Sequence, residues 1–146
     1  MSRWSLLLLS LASSAVLAQG DPLALAEKEK GAVKTDSGLV YRILAEGKGP
    51  SPTAEDTVRV HYRGTLTNGK EFDSSYKRGQ PTEFPLKRVI KCWTEGVQKL
   101  KVGGKAKLTC PASLAYGDRD VGGGLIPANS VLVFEVELLG IVTPKQ

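Results

Sequence analysis

Apolar and polar side chains alternate along several stretches of the chain, and this pattern predicts strands. The clearest stretch is residues 57–66, where Val58, Val60 and Tyr62 alternate with polar residues. A period of two places these three side chains on one face, which a sheet can bury. Asn68-Gly69 follows and predicts a hairpin turn, because both residues tolerate a positive φ. The predicted strands cover residues 39–44, 57–66, 70–74, 82–86, 105–110 and 131–141.

A helical period appears in residues 89–100. Trp93, Val97 and Leu100 stand at i, i+4 and i+7, so they share one helical face. Gly103-Gly104 then favours the end of the helix. The pattern predicts an α+β domain over residues 37–146, with five to six antiparallel strands curled around one short helix.

The position of Trp93 raises a question about its role. A tryptophan near the start of such a helix is usually a core residue. We favour a second interpretation, in which Trp93 forms the floor of an apolar pocket on the concave face of the sheet.

The remaining segments lack a long period. Residues 19–36 are interpreted as a polar tail, in which residues 23–30 can form two helical turns. A polar loop is expected at 76–81 and one helical turn at 111–116. The glycine-rich stretch 117–130 is a long loop, and loops of this length usually have a function.

The N-terminus has the features of a secretory signal peptide. Residues 1–18 contain Arg3, an apolar block at 6–17 and small residues before a predicted cleavage site after Ala18. The alternative is a membrane anchor, but the apolar block is shorter than the roughly 20 residues that a spanning helix needs. We therefore expect a periplasmic or secreted protein.

Composition argues against several kinds of chemistry. The net charge of +5 comes from scattered residues without a basic run interleaved with aromatics, so nucleic acid is not the expected partner. His61 is the single histidine and is expected on the outward, solvated face of its strand. A metal site or a Cys–His pair is therefore not expected. The run Gly122-Gly123-Gly124 lacks the Lys-Ser/Thr of a phosphate loop, and we expect no cofactor.

The two cysteines leave two alternatives open. Cys92 lies at the start of the predicted helix, and Cys110 shares the inward face of a strand with Ala106 and Leu108. In an oxidising compartment, a pair suggests a disulfide that ties the helix to the sheet. The other alternative is two buried free thiols.

Six motifs in order resemble the FKBP-type peptidyl-prolyl cis-trans isomerases. The resemblance spans about residues 37–141, and the leader with residues 24–43 is similar to the bacterial secreted branch that includes the macrophage infectivity potentiator proteins. The motifs are VHYRG at 60–64, GKEFDSS at 69–75, VIKCWTEG at 89–96, AYG at 115–117, IP at 126–127 and VLVFEVELL at 131–139.

This resemblance implies a half-barrel and substrates that contain an Xaa-Pro bond. Macrolide immunosuppressants are implied as inhibitors. The dimerising helical domain of many relatives has no counterpart here, so we expect a monomer. The rival hypothesis is a peptide-binding chaperone module with little turnover.

The resemblance also implies the residues of the site. Trp93 would seat the proline ring, while the Ile90 backbone N–H and the Tyr116 hydroxyl would bind substrate carbonyls. Asp73 would act electrostatically beside the twisting carbonyl, without proton transfer. The implied catalytic residues are Asp73, Tyr116 and Trp93, and the implied substrate-binding residues are Tyr62, Phe72, Arg78, Val89, Ile90, Ile126 and Phe134.

Two further expectations concern the support of Asp73 and one wall of the pocket. Tyr62 and Arg78 are expected to hold Asp73. Thr82 stands where eukaryotic members often have a pocket phenylalanine, so we expect a more open wall there. The alternative for the apolar residues of the site is that they simply fill the core.

Overall fold

The fold is an antiparallel sheet packed against a short helix, in a computed structural model that describes residues 21–142. The predicted signal peptide, residues 1–18, lies outside the described residues. The strands are β1 (Ala32–Lys34), β2 (Val40–Ala45), β3 (Thr57–Leu66), β4 (Glu71–Ser74), β5 (Thr82–Pro85), β6 (Lys105–Cys110) and β7 (Leu132–Val142). The helices are α1 (Pro22–Glu27), α2 (Ser75–Arg78) and α3 (Lys91–Val97), with 3-10 turns at Leu86–Arg88 and Ala112–Leu114.

The sheet has the strand order β1-β2-β6-β7-β3-β4, and every pair is antiparallel. The long strands β3 and β7 form its centre, with Cα partners from Thr57 opposite Val142 to Leu66 opposite Leu132. The other edge of β3 is shared by β4 and β5. The predicted α+β fold is therefore confirmed, although the described residues form seven strands where five to six were expected.

The core lies between the sheet and α3. The alternation predicted for β3 is confirmed, since Val58, Val60 and Tyr62 are all buried. Strand β7 buries every second residue in the same way. Helix α3 approaches β6 closely at Gly96, where an added Cβ would lie 2.9 Å from the side chain of Leu108.

Helix α3 is shorter than the predicted 89–100. Ile90 is its N-cap, and Val89 and Ile90 both have extended backbone. At the other end, the N–H groups of Lys99 and Leu100 bond three residues back, so the last turn is tighter than an α-helix. The helical period of the side chains continues past both ends, and it therefore overstates the length of the helix.

Residues 21–36 do not form the expected tail. Asp21 caps α1 by accepting a hydrogen bond from the Leu23 N–H, and β1 pairs with the edge of β2. Glu29 accepts from Lys107 of β6 at 2.8 Å, which fastens this segment to the sheet. Helix α1 overlaps the two helical turns considered at 23–30, whereas the three residues of β1 are too few to give a clear period.

Two further expectations are corrected beside β3. The loop expected at 76–81 begins with the one-turn helix α2, which the Ser74 side chain caps and Gly79 ends with φ 77°. His61 is half-buried: its Nδ1 lies 2.8 Å from the hydroxyl of the buried Ser75, and its ring stacks on Tyr76. The α2 turn folds over His61 and shields it from solvent.

Cys92 and Cys110 form a disulfide, with Cα atoms 5.8 Å apart. Both residues are fully buried. Of the two alternatives, the structure therefore has the one that ties α3 to β6. No helix within residues 21–142 is long and apolar enough to cross a membrane.

Candidate active site

A cavity of about 320 Å³ opens between α3 and the sheet. This volume is within the usual range for small-ligand sites, about 300–1,000 Å³. Its wall is mostly aromatic and aliphatic, with one carboxylate and one guanidinium. The lining residues are Tyr62, Phe72, Asp73, Phe84, Arg88, Val89, Ile90, Trp93, Tyr116 and Phe134.

Trp93 is both a core residue and part of the cavity wall. Only 4% of its surface is exposed, yet it lines the cavity. Its ring meets three aromatic rings edge to face, with centroids 5.1 Å from Tyr62, 5.2 Å from Phe84 and 5.5 Å from Phe134. Such contacts fix the indole in one orientation. The two interpretations of Trp93 are therefore compatible.

The opposite wall depends on a glycine of β3. Phe72 and Phe134 meet edge to face at 5.6 Å. A Cβ on Gly64 would lie 2.6 Å from the Phe72 ring and 2.9 Å from the Phe134 ring. Gly64 thus allows both rings to lie against the strand, which leaves the cavity open.

Asp73 is held at the cavity edge by two donors. The Tyr62 hydroxyl donates to its Oδ2, and Arg78 Nη1 donates to its Oδ1 at 2.6 Å. Arg78 Nη2 also reaches the Tyr62 hydroxyl at 3.1 Å and the Thr82 hydroxyl at 3.2 Å. The three groups form a closed network that fixes the carboxylate beside the apolar wall.

The network sets the charges of this edge. Partial burial alone would raise the pKa of Asp73, but the hydrogen bonds from Tyr62 and Arg78 outweigh it and hold that pKa below its usual 3.8. Burial, with the hydrogen bond to Asp73, raises the pKa of Tyr62. Asp73 is therefore a carboxylate and Tyr62 a neutral donor near neutral pH.

The Trp93 Nε1–H is buried without a protein acceptor among residues 21–142. The two donors expected to bind carbonyl oxygens also have no protein acceptor there. One is the Tyr116 hydroxyl, on a side chain that is 39% exposed. Its pKa is raised by burial and by the charge of Asp73, so it stays protonated. The other is the Ile90 backbone N–H, at the N-cap of α3. Both are available to carbonyl oxygens of a bound molecule.

The structure brings together eight of the ten residues expected at the site. Arg78 is not in the cavity wall and contacts it through Asp73 and Tyr62. Ile126 is buried, bridged to Val121 within the 117–130 loop, and also lies outside the lining. Neither residue forms the wall: Arg78 acts on it through Asp73 and Tyr62, and Ile126 belongs to the hydrophobic core.

The sequence analysis missed two lining residues, Phe84 and Arg88. Phe84 shares a strand face with Thr82 and lies 5.7 Å from the Tyr62 ring. The open wall expected at Thr82 is therefore closed by Phe84, two residues later. Strand β5 has only four residues, too few to show the period of two that could have identified Phe84.

The comparison with family models decides the family. The model for FKBP-type peptidyl-prolyl cis-trans isomerases matches residues 49–139. The chain belongs to this family. Its FKBP-type domain therefore includes the whole cavity wall described above.

Relatives and solved structures agree with this assignment. FkpA of Aeromonas hydrophila, an FKBP-type peptidyl-prolyl cis-trans isomerase, is 54% identical over 122 residues, which are 84% of this chain and 45% of the relative. The crystal structure of FkpA from Escherichia coli superposes with a TM-score of 0.79 at 48% identity, covering 90% of this chain and 60% of that one. A peptidyl-prolyl cis-trans isomerase from Pseudomonas syringae superposes with a TM-score of 0.77 at 33% identity, covering 92% and 95%.

The chain spans about half the length of the curated relatives that it matches. The matched part is the domain that contains the cavity. The activity, substrates and partners of the protein are therefore considered as proposals.

Proposed function

We propose that this protein is a peptidyl-prolyl cis-trans isomerase that accelerates rotation about Xaa-Pro bonds in polypeptides. The observation that carries the proposal is the largely aromatic cavity, with a fixed carboxylate at its edge and the free Ile90 N–H and Tyr116 hydroxyl among its lining residues. Family membership over residues 49–139 supports the same reaction.

The reaction needs no covalent step. Rotation of a peptide bond meets a barrier of ~18–20 kcal/mol because it breaks amide resonance. Uncatalysed exchange of an Xaa-Pro bond takes tens to hundreds of seconds. A site that binds the twisted amide more tightly than the planar one lowers this barrier. The twisted amide has lost charge separation, so an apolar cavity favours it.

The lining residues suit this role. The proline ring would rest on Trp93, whose indole is fixed by its aromatic neighbours. The apolar side chains of the wall would exclude water from the bond that rotates; they are Phe72, Phe134, Val89 and Ile90. The free Ile90 N–H and Tyr116 hydroxyl would each bind a substrate carbonyl, which holds the flanking chain while the bond turns.

Asp73 would act on charge and orientation. Its lowered pKa keeps it ionised, so it is not a proton donor at neutral pH. Tyr62 and Arg78 hold it in one position beside the cavity. We assign it electrostatic stabilisation next to the twisting carbonyl.

The cellular setting and ligands belong to the same proposal. We infer export to the periplasm or outside the cell from the predicted leader, and the buried disulfide supports an oxidising compartment. Macrolide immunosuppressants would compete for the cavity. The natural substrates would be proline-containing exported polypeptides, and the protein would act as a monomer.

Catalysed cis/trans exchange of an Xaa-Pro peptide, measured by NMR at substoichiometric enzyme, tests the function. We expect acceleration that a macrolide abolishes. Tyr116→Phe should lower kcat/KM by about 3- to 10-fold, because one charge-free hydrogen bond is lost. It should leave the unfolding midpoint unchanged, since the hydroxyl has no protein acceptor within residues 21–142.

The rival hypothesis gives a different result in the same experiment. A peptide-binding chaperone module would suppress aggregation of an unfolded protein without accelerating exchange of the peptide. Binding of the peptide without faster exchange would therefore contradict the proposal.

A further inference from the structure

A second concave surface lies on the outer side of α3, beside the cavity. We call it the lysine groove; its volume is about 740 Å³. The floor is partly apolar and the rim is charged. The residues used below are Val89, Leu114, Lys87, Lys91, Lys99 and Glu95.

The lysine groove is continuous with the cavity. Val89 lines both of them. The free N–H of Ile90 lies between Val89 and Lys91, at the border of the two. On the facing side, Leu114 of the groove stands two residues before Tyr116 of the cavity. A polypeptide held in the cavity through a carbonyl at Ile90 would therefore continue over Val89 into the lysine groove.

The charge of the groove is unbalanced. Lys87, Lys91 and Lys99 are exposed, and none has a carboxylate within 4.0 Å among residues 21–142. Lysines elsewhere on the domain are of both kinds: Lys77 pairs with Glu71 at 3.0 Å, whereas Lys48 and Lys70 have no carboxylate within 4.0 Å among residues 21–142. Glu95 is the one acidic residue of the groove lining, and it accepts a hydrogen bond from Ser37. Three lysines thus face one glutamate.

We propose that the lysine groove is a substrate subsite that binds acidic side chains near the proline on one side of the rotating bond. This inference rests on the proposed function, because it places the proline in the cavity. The apolar floor at Val89 and Leu114 would contact the backbone and side-chain stems of the substrate. The lysines would attract its carboxylates, so the subsite selects among Xaa-Pro substrates by charge.

The test compares peptides that share one Xaa-Pro core. Each peptide carries Glu, Gln or Lys at one position, two or three residues before the proline or after it. The kcat/KM for each peptide is measured by NMR exchange. We expect Glu to exceed Gln by about 3- to 10-fold at low salt on one side of the proline. Lys should fall below Gln, and the ratio should approach one at about 1 M salt, where the Debye length is about 3 Å.

Variants assign the effect to the groove. Lys87→Gln, Lys91→Gln and Lys99→Gln together should bring the Glu-to-Gln ratio to about one, whereas Glu95→Gln should raise it. The matched control combines Lys30→Gln, Lys48→Gln and Lys70→Gln, exposed lysines that line neither the cavity nor the groove. It makes the same change in net charge, and the wild-type ratio should persist.

The outcomes separate the two proposals. Failure of the wild type to accelerate exchange of any peptide would overturn the isomerase function itself. Acceleration of all peptides with a Glu-to-Gln ratio of about one would overturn the subsite alone. A ratio lost equally in the control would show a long-range charge effect and would also overturn it. The subsite would also be overturned if an acidic peptide without proline inhibited the enzyme as strongly as the same peptide with proline.

Discussion

At the scale of single residues, the site depends on side chains that are fixed before substrate binds. Trp93 touches three aromatic rings, and Asp73 accepts from both Tyr62 and Arg78. Fixed groups need no reorganisation as the peptide bond twists, which favours the transition state. The apolar wall and the single oriented carboxylate are therefore complementary parts of one site.

The ionisation of Asp73 predicts the pH dependence of activity. Its pKa lies below 3.8 in the folded protein, so exchange activity should stay constant from neutral pH down to that region. Activity should then fall as the carboxylate is protonated. The unfolding free energy that the network contributes also depends on pH. It is fully present above the pKa of Asp73 in the unfolded chain and is lost as pH falls through the lowered pKa of Asp73 in the folded protein. A pH profile of kcat/KM checks this, and a loss of activity centred near pH 6 would contradict it.

Gly64 predicts a way to close the cavity without changing any lining residue. In Gly64→Ala, the new Cβ would displace the rings of Phe72 and Phe134. We expect kcat/KM to fall by about tenfold or more, with a destabilisation of about 1–3 kcal/mol from overpacking. NMR exchange and urea unfolding measure the two effects.

Gly140→Ala is the matched control for this substitution. Gly140 lies in β7, and a Cβ there would have no heavy atom within 4 Å. This variant should keep wild-type activity. Equal activity of the two alanine variants would show that the rings of Phe72 and Phe134 do not define the catalytic cavity.

Single residues also show what sequence can predict about the site. Tyr62 and Phe134 were placed inward by the alternation of their strands, and the structure agrees. Phe84 was missed because β5 has four residues, too few to show a period of two. Arg88 lies in a 3-10 turn, where no periodicity indicates the direction of a side chain.

At the scale of elements, α3 carries the cavity floor although it has only seven residues. A helix of this length is not stable alone, so tertiary contacts must fix it. The disulfide from Cys92 to Cys110 and the close approach of Gly96 to Leu108 provide two such contacts with β6. The indole of Trp93, next to Cys92, is positioned by the same contacts.

Removal of the disulfide should therefore reduce stability. The bridge closes a loop with a sequence separation of 18. The double variant Cys92→Ala and Cys110→Ala should lose about 2–4 kcal/mol of unfolding free energy, largely because the unfolded chain gains freedom. Urea unfolding of the oxidised wild type and the variant measures this difference. A change below about 1 kcal/mol would show that packing alone holds α3 on β6.

The six predicted strands correspond to β2 through β7, each to within one residue at either end. The ten residues of β3 matched the prediction at both ends. The three residues of β1 and the four of α2 were assigned to a tail and a loop, because such short segments are defined by hydrogen bonds to distant partners. The cap of α2 by Ser74 and its end at Gly79 were local signals that composition concealed.

At the scale of the whole molecule, the sheet and α3 enclose the cavity, whereas α3 and the neighbouring turns form the lysine groove. The fold class followed from alternating strands around one amphipathic segment, and the resemblance gave its family. The continuity of cavity and groove could not be predicted, since it depends on how the turn before α3 lies beside the 111–116 turn.

The expected oligomeric state is also a property of the whole molecule. We expect the mature protein to be a monomer. Multi-angle light scattering at micromolar concentration should give the mass of one chain. A stable dimer would contradict this prediction, and it would require a surface outside the cavity wall to form the interface.

The most direct test of the account compares Asp73→Ala with the wild type in both activity and stability. Trp93→Ala is less informative, because removal of a buried tryptophan costs about 3–5 kcal/mol and can unfold the domain. In Asp73→Ala, the Tyr62 O–H loses its acceptor, but the hydroxyl oxygen still accepts from Arg78, and Tyr62 lines the cavity, where water can replace the carboxylate.

The measurement is kcat/KM for exchange of an Xaa-Pro peptide by NMR, together with the unfolding free energy in urea. The account predicts that Asp73→Ala loses about tenfold or more in kcat/KM and only about 1 kcal/mol of unfolding free energy. A variant that unfolds early but isomerises the peptide at the wild-type rate would contradict the account.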